Sequence, residues 1–163
     1  MINTVNRAIP DSLLQGGRRA FSGSNARDGQ TFEKKGPRVR ICEKPFESKV
    51  LPSIREAVVR CGLADGMTVS FHHHFRNGDF VVNLVMKEIA ELGIRDITIA
   101  ASSVGDAHDP VAAYIEEGVV TGLQTSGIRG KIGEAVSHGK LKTPAILRSH
   151  GGRWQAVQDG EVH

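Results

Sequence analysis

Cysteine is scarce in this chain: Cys42 and Cys61 are the only two in 163 residues. They stand nineteen positions apart without ligand-like spacing, which argues against a disulfide framework and a zinc finger. Aromatic residues make up 5%, and none interleave with a basic stripe, so a nucleic-acid stacking platform is excluded. No run of eighteen apolar residues occurs, which excludes a helical membrane span. The opening MINTVNRAIPDSLLQ has no apolar stretch of signal-peptide length, so the expected compartment is the cytoplasm. Internal repeats and low-complexity segments are also missing.

What is present is one domain's worth of chain, 39% apolar and rich in glycine, with 19 of 163 residues. That supports one real core, not two full enzyme domains. The net charge of +3 is unevenly spread. Residues 1–40 carry a balance of +5 and residues 41–163 a balance of −2. The excess therefore reads as a solvated basic leader and not as a nucleic-acid face.

Residues 1–40 read as irregular, punctuated by Gly16-Gly17, Ser22-Gly23-Ser24-Asn25 and Gly36-Pro37. From residue 41 onward, strand and helix signals alternate. Val39-Arg40-Ile41 is a candidate short strand. Ser48–Cys61 reads as a helix with Val50, Ile54, Val58 and Cys61 on one stripe, Pro52 in its first turn and Gly62 as its stop. Met67–Phe71, Asp96–Ala101, Val119–Gln124 and Ala145–Ser149 read as strands. Between them lie a helix from Gly78-Asp79 with Val81, Val85, Ile89 and Leu92 on one face, a short helix from Asp109-Pro110 to Glu117, and another over Ile132–His138. This alternation predicts an α/β fold, a mainly parallel sheet with flanking helices over residues 41–163. Arg153–Gln158 reads as a strand returning from Gly151-Gly152. Asp159-Gly160 then reads as a hairpin turn with too little chain after it for a partner strand, as though the chain were cut from something longer.

In a parallel sheet, ligands gather at the carboxyl ends of the strands. That rule selects His72-His73-His74-Phe75-Arg76-Asn77-Gly78-Asp79, Ser102-Ser103-Val104-Gly105-Asp106, Thr125-Ser126-Gly127-Ile128-Arg129-Gly130 and His150-Gly151-Gly152. His72 and His74, two apart in extended chain, can face one side while His73 faces the other. They fit three uses: packing and loop hydrogen bonds, a metal site completed by His108 or His150, or a carboxylate pocket with Arg76 ahead of a helix. The anion reading is preferred, because no spaced ligand set supports a metal. Asn77 and Asp79 are also plausible caps for the helix that follows. Ser102 and Ser103 can bind a ligand or shape a turn. The turn from Gly127 to Gly133 fails the phosphate-loop pattern, with Ile132 and Thr125 at key positions. It can still offer backbone N–H groups to an oxyanion, with Arg129 beside it.

Several of these runs resemble one family. Asp65–Asp79 (DGMTVSFHHHFRNGD), Ala100-Ala101-Ser102-Ser103, Gly118–Thr121, Thr125–Ala135 and Ser149–Arg153 closely resemble citrate lyase α subunits, from about Ile41 to the end. The resemblance implies a fold of the coenzyme A transferase superfamily and an exchange of acetyl for citrate on an acyl-carrier-protein thioester. Citrate's carboxylate would attack the acetyl thioester, and the thiolate would then attack the mixed anhydride and release acetate. It implies carboxylate contacts from His72, His74, Arg76 and Asn77, with His150 and Gly151 in the same binding set. Ser102, Ser103, Ser126, Gly127 and Arg129 would line the acyl side. It also implies an oligomeric complex with an acyl carrier protein (γ subunit) and a citryl lyase (β subunit). No tightly bound cofactor or metal is expected; the thioester, on its carrier or as acyl-CoA, is a substrate. No glutamate of this chain is identified as the covalent acyl acceptor of related transferases, and family members are far longer. Two other readings stand beside this one: a non-catalytic assembly fragment of the complex, and a histidine-metal-dependent lyase.

Overall fold

The computed structural model describes residues 1–2, 6–18, 20, 48–72 and 78–163. The candidate strand Val39–Ile41, Cys42 and the loop residues His73, His74, Phe75, Arg76 and Asn77 lie outside these. The chain divides into two compact units, Met1–Glu33 and Lys34–His163. In the first, Ile2 and Ala8 form an isolated antiparallel bridge, a 3-10 turn spans Asp11–Leu14, and the Met1 ammonium contacts Asp11 at 3.1 Å.

The described part of the second unit runs α1 (Ile54–Arg60), β1 (Thr68–Phe71), α2 (Val81–Glu91), β2 (Ile97–Ala101), α3 (Val111–Glu116), β3 (Val120–Thr125), α4 (Gly130–Ser137), β4 (Ile146–Leu147) and α5 (His150–Gln158). The four strands form one parallel sheet in chain order, as the alternating pattern predicted. Strands added successively in one direction, each by a right-handed crossover, place α2, α3 and α4 on the same face. Between that helical layer and the sheet lies one apolar cluster, including Val58 of α1, Val82, Met86 and Ile89 of α2, Ile99 and Leu123 of the sheet, Ile115 of α3 and Ile132 of α4. Each such fully buried side chain contributes about 1.5–3 kcal/mol. The other face carries Ser70, Ala100 and Gln124, aligned across the strands. It is met by Arg153 of α5, on Ser70, and by Glu161 just after that helix, on Gln124.

Several boundaries differ from the sequence reading. The first helix starts at Ile54, capped by the Ser53 hydroxyl accepting the Glu56 N–H at 3.1 Å. Pro52 lies before it, and Val50 is exposed; Ser53 ends the pattern because a cap costs less than carrying Pro52 inside a helix. The buried stripe of α2 is Val82, Met86 and Ile89, while Val81 is exposed. Asp109 does not cap the helix beside it: its carboxylate accepts the Lys131 N–H of α4 at 2.8 Å.

The largest correction is at the end of the chain. Arg153–Gln158 is helical, within α5, and Asp159-Gly160 is its stop and not a hairpin. The Ser149 hydroxyl caps the first turn by accepting the Gly152 N–H at 3.1 Å. At the other end Gly160, at φ +76°, lets its own N–H reach Val157 O and that of Glu161 reach Ala156 O, the paired bonds of a Schellman stop. All five helices of the described residues end this way, on Gly62, Gly93, Gly118, Gly139 and Gly160. Asp-Gly serves a hairpin and a helix stop equally, since both need a left-handed residue. The fourth strand is also shorter than read, just Ile146–Leu147.

Two predictions follow from these contacts. A Cβ on Gly122 would collide with Thr98 Oγ1 and stand 3.2 Å from Thr98 Cβ on the paired strand. Gly122→Ala should therefore destabilise the fold by about 1–3 kcal/mol, and Thr98→Ala in the same chain should relieve much of that in urea melts. Asp96 occupies the left-handed region at φ +61°. It accepts the Thr121 hydroxyl at 2.6 Å and is paired with Lys142 at 3.0 Å. The Thr121 hydroxyl, then Lys142, hold its carboxyl below the ordinary value of 3.8. A lowered native pKa means stability present above the unfolded pKa and lost as pH falls through the folded one. Asp96→Asn, which tolerates the same backbone, should flatten the acid limb of a stability–pH profile below that value.

Candidate functional site

Parallel pairing brings the four strand ends level. Phe71 is paired with Ala101, Ala101 with Thr125, and Thr125 with Leu147. The residues that follow, His72, Ser102, Ser126 and Arg148, therefore leave the sheet side by side along one edge. They are cross-linked there. The Ser102 hydroxyl stands 3.5 Å from His72 Nδ1. Ser126 donates its N–H to Ser102 O at 3.1 Å and its hydroxyl to Arg148 O at 2.7 Å. Beyond them the loops after β2 and β3 continue as a parallel bridge between Val104 and Ile128.

The structure places the predicted residues unequally. His72, Ser103, Ser126 and Arg129 are exposed at this edge, and Ser102 is buried. Gly127 sits where its carbonyl accepts the Val104 N–H at 3.0 Å. His74, Arg76 and Asn77 lie outside the described residues. His150 and Gly151 belong to the first turn of α5 and not to a loop, and both remain exposed. Asp79 is buried and accepts the Val81 N–H at 3.0 Å; the cap position itself falls on Phe80, one residue later than read.

The turn into α4 differs from expectation in its donors. The N–H groups of Ser126, Arg129 and Lys131 bond to Ser102 O, Val104 O and Asp109 Oδ1, and that of Gly127 lies 3.4 Å from Thr125 Oγ1. A parallel extension of the sheet and a borrowed aspartate engage these four groups internally. His108, weighed as a metal ligand, is buried and accepts the Gly105 N–H on Nδ1 at 3.1 Å. Among the described residues no three His, Cys, Asp or Glu side chains group closely enough to hold a metal ion. Within the same set, no helix is long and apolar enough to cross a membrane.

Two arginines were missed by the sequence reading. Arg148 pairs with Glu161 at 2.5 Å. Arg153, half-buried on α5, donates from Nη2 to Ser70 Oγ, Phe71 O and Ala100 O at 3.3, 3.1 and 3.3 Å. Burial pushes the pKa of its guanidinium below the ordinary value. The signal that would have found it was Ser149 as a helix cap with Gly160 as the matching stop.

Polar loops aligned at the carboxyl edge of an open parallel sheet occupy the position where α/β domains of this class bind ligands. The affiliation of this domain follows from comparison with known proteins: residues 47–163 match the family model described as citrate lyase, alpha subunit, and the chain belongs to that family. It is 51% identical over 116 residues to the citrate lyase alpha chain of Haemophilus influenzae, covering 71% of this chain and 23% of that one. The alpha chain of Escherichia coli K12 is 45% identical over 136 residues, covering 83% and 27%. A crystal structure described as the citrate lyase alpha subunit of Streptococcus mutans in complex with citrate superposes with a TM-score of 0.73. It is 42% identical, and the match covers 99% of this chain and 31% of that one. The chain thus spans about a quarter of the length of these curated relatives.

The hydroxyl of Ser126 fastens the short β4 to the edge. Ser126→Ala should cost about 1 kcal/mol, and amide exchange at Arg148, whose N–H bonds Thr125 O at 2.9 Å, should accelerate more than exchange at Ile99.

Proposed function

We propose that this domain supplies the carboxylate-binding edge of a citrate:acyl-carrier-protein transferase, the α component of a citrate lyase complex. The observation that carries the reading is the level row of His72, Ser102, Ser126 and Arg148 at the carboxyl ends of four paired strands. A tricarboxylate laid along this edge would meet imidazole and hydroxyl donors at His72, Ser102 and Ser103. His74, Arg76, Asn77, His150 and Gly151 would complete the set, Arg76 by a two-pronged contact.

The chemistry is acyl exchange on a thioester. A citrate carboxylate oxygen adds to the acetyl thioester carbonyl and expels the thiolate, giving a mixed anhydride. The thiolate then adds to the citryl carbonyl and expels acetate, leaving a citryl thioester. No redox partner or metal is required. The contribution of these residues is to hold a flexible, multiply charged acid in one orientation beside the thioester, with Ser126, Gly127 and Arg129 on the acyl side. The thioester is a substrate, carried by an acyl carrier protein or as acyl-CoA. An acyl carrier protein and a citryl lyase subunit are the partners this role requires, in an oligomeric, cytoplasmic complex.

Ile146 and Leu147 on β4, with Trp154 and Val157 on α5, are exposed. They favour a second reading, in which this stretch serves assembly and has no turnover of its own.

Citrate titrated into the 15N-labelled chain should shift the amides of His72, Ser102 and Ser103 saturably, and His72→Ala should weaken binding by about tenfold, the loss of one charge-assisted contact. A wild-type chain whose spectrum ignores millimolar citrate would refute the binding assignment. An assay of the chain with acetyl-carrier protein and citrate separates the two readings: citryl-thioester formation supports the transferase, and its absence supports assembly.

A further inference from the structure

Arg153 lies on the opposite side of the sheet from the main apolar cluster, in the second turn of α5. Its terminal nitrogen Nη2 reaches under the carboxyl edge to three acceptors on two strands: Ser70 Oγ and Phe71 O on β1, Ala100 O on β2. Phe71 is the last residue of β1, and its carbonyl marks the point where the chain departs into His72. Ala100 stands one residue before the end of β2, two before Ser102. The guanidinium thus joins the two strands just before they release the pair whose side chains approach each other above, His72 and Ser102 at 3.5 Å.

Packing alone does not require this arrangement. Arg153 Nε is buried without a hydrogen-bond partner, an unfavourable placement for a cationic group that an aliphatic residue would avoid. The β1–β2 ladder is already complete along four residue pairs without it. What the arginine adds is a fixed positive charge behind the departing loops, held by acceptors that cannot themselves neutralise it. Arg148 differs in that Glu161 neutralises it at 2.5 Å.

We infer that Arg153 is a positioning residue for the anion site: its guanidinium sets the spacing of His72 and Ser102 and keeps an uncompensated positive charge behind them. The inference rests on the reading of this edge as the carboxylate-binding site. It extends that reading to a residue that meets the edge from the far face of the sheet. Arginine suits the task because its planar fork is charged at all working pH values, and lysine, one bond shorter, supplies charge without the same reach.

The test compares Arg153→Met and Arg153→Lys with the parent chain, first without ligand. In ligand-free 15N spectra the His72 and Ser102 amide signals should be displaced in Arg153→Met and return toward their parent positions in Arg153→Lys. A purely structural role would disturb both variants alike and show no such rescue. With citrate added, affinity should fall about tenfold in Arg153→Met and less in Arg153→Lys. An Arg153→Met chain that keeps the parent His72 and Ser102 signals and citrate affinity overturns the inference. If the parent chain ignores citrate, the citrate reading falls, while the ligand-free spectra still decide the role of Arg153. Should Arg153→Met fail to fold, the parent chain suffices. Separate, slowly exchanging Nη–H signals support the three-acceptor clamp, and a single averaged signal overturns it.

Discussion

Everything at the candidate site depends on the register of one parallel sheet. Setting Phe71 beside Ala101, Ala101 beside Thr125 and Thr125 beside Leu147 brings four strands to their ends at the same level. Residues far apart in sequence then emerge as neighbours. A one-residue slip would turn His72 or Ser126 to the other face, because side chains alternate along a strand. The apolar cluster under α2, α3 and α4 fixes that register, since slipping β2 would bring Ile97 and Ile99 out of it.

The two faces of the sheet do different work. One is apolar and covered by helices, and it provides the stability. The other carries Ser70, Ala100 and Gln124, and among the described residues it is met by Arg153 of α5 and by the Arg148–Glu161 pair that flanks that helix. The glycines follow the same division of labour. Those ending helices gather where the chain turns back to start a strand, as at Gly93 and Gly118, at the end of the sheet away from the site. Gly127 belongs to the carboxyl edge, where its N–H and carbonyl bond within the fold, and Gly151 to the first turn of α5. Glycine abundance therefore reports helix stops at least as much as it reports ligand loops.

Much of this was legible from residues alone. The order of strands and helices followed from apolar periodicity and glycine stops, and the position of β1, β2 and β3 was read to within a residue. The loops at their ends followed from the rule for parallel sheets. The region after β4 was misread because Gly151-Gly152 and Asp159-Gly160 carry turn signals that a capped helix also uses. Arg153 was hidden by the same error: on a strand its side chain would have alternated, whereas on α5 it reaches back under two strands. Asp109 shows the limit in another form, since it looked like the cap of its own helix and serves the next one.

By itself the sequence determined the α/β class, the family and the set of polar residues at the strand ends, because periodicity and motif are local properties. Only the tertiary structure decided which donors remain available. Hydrogen-bond partners come from distant segments, and they engage the N–H groups of Ser126, Arg129 and Lys131 within the fold. The same long-range packing delivers the charge of Arg153 to the base of the site. Its three acceptors lie 53 to 83 positions away along the chain, a separation no local pattern records.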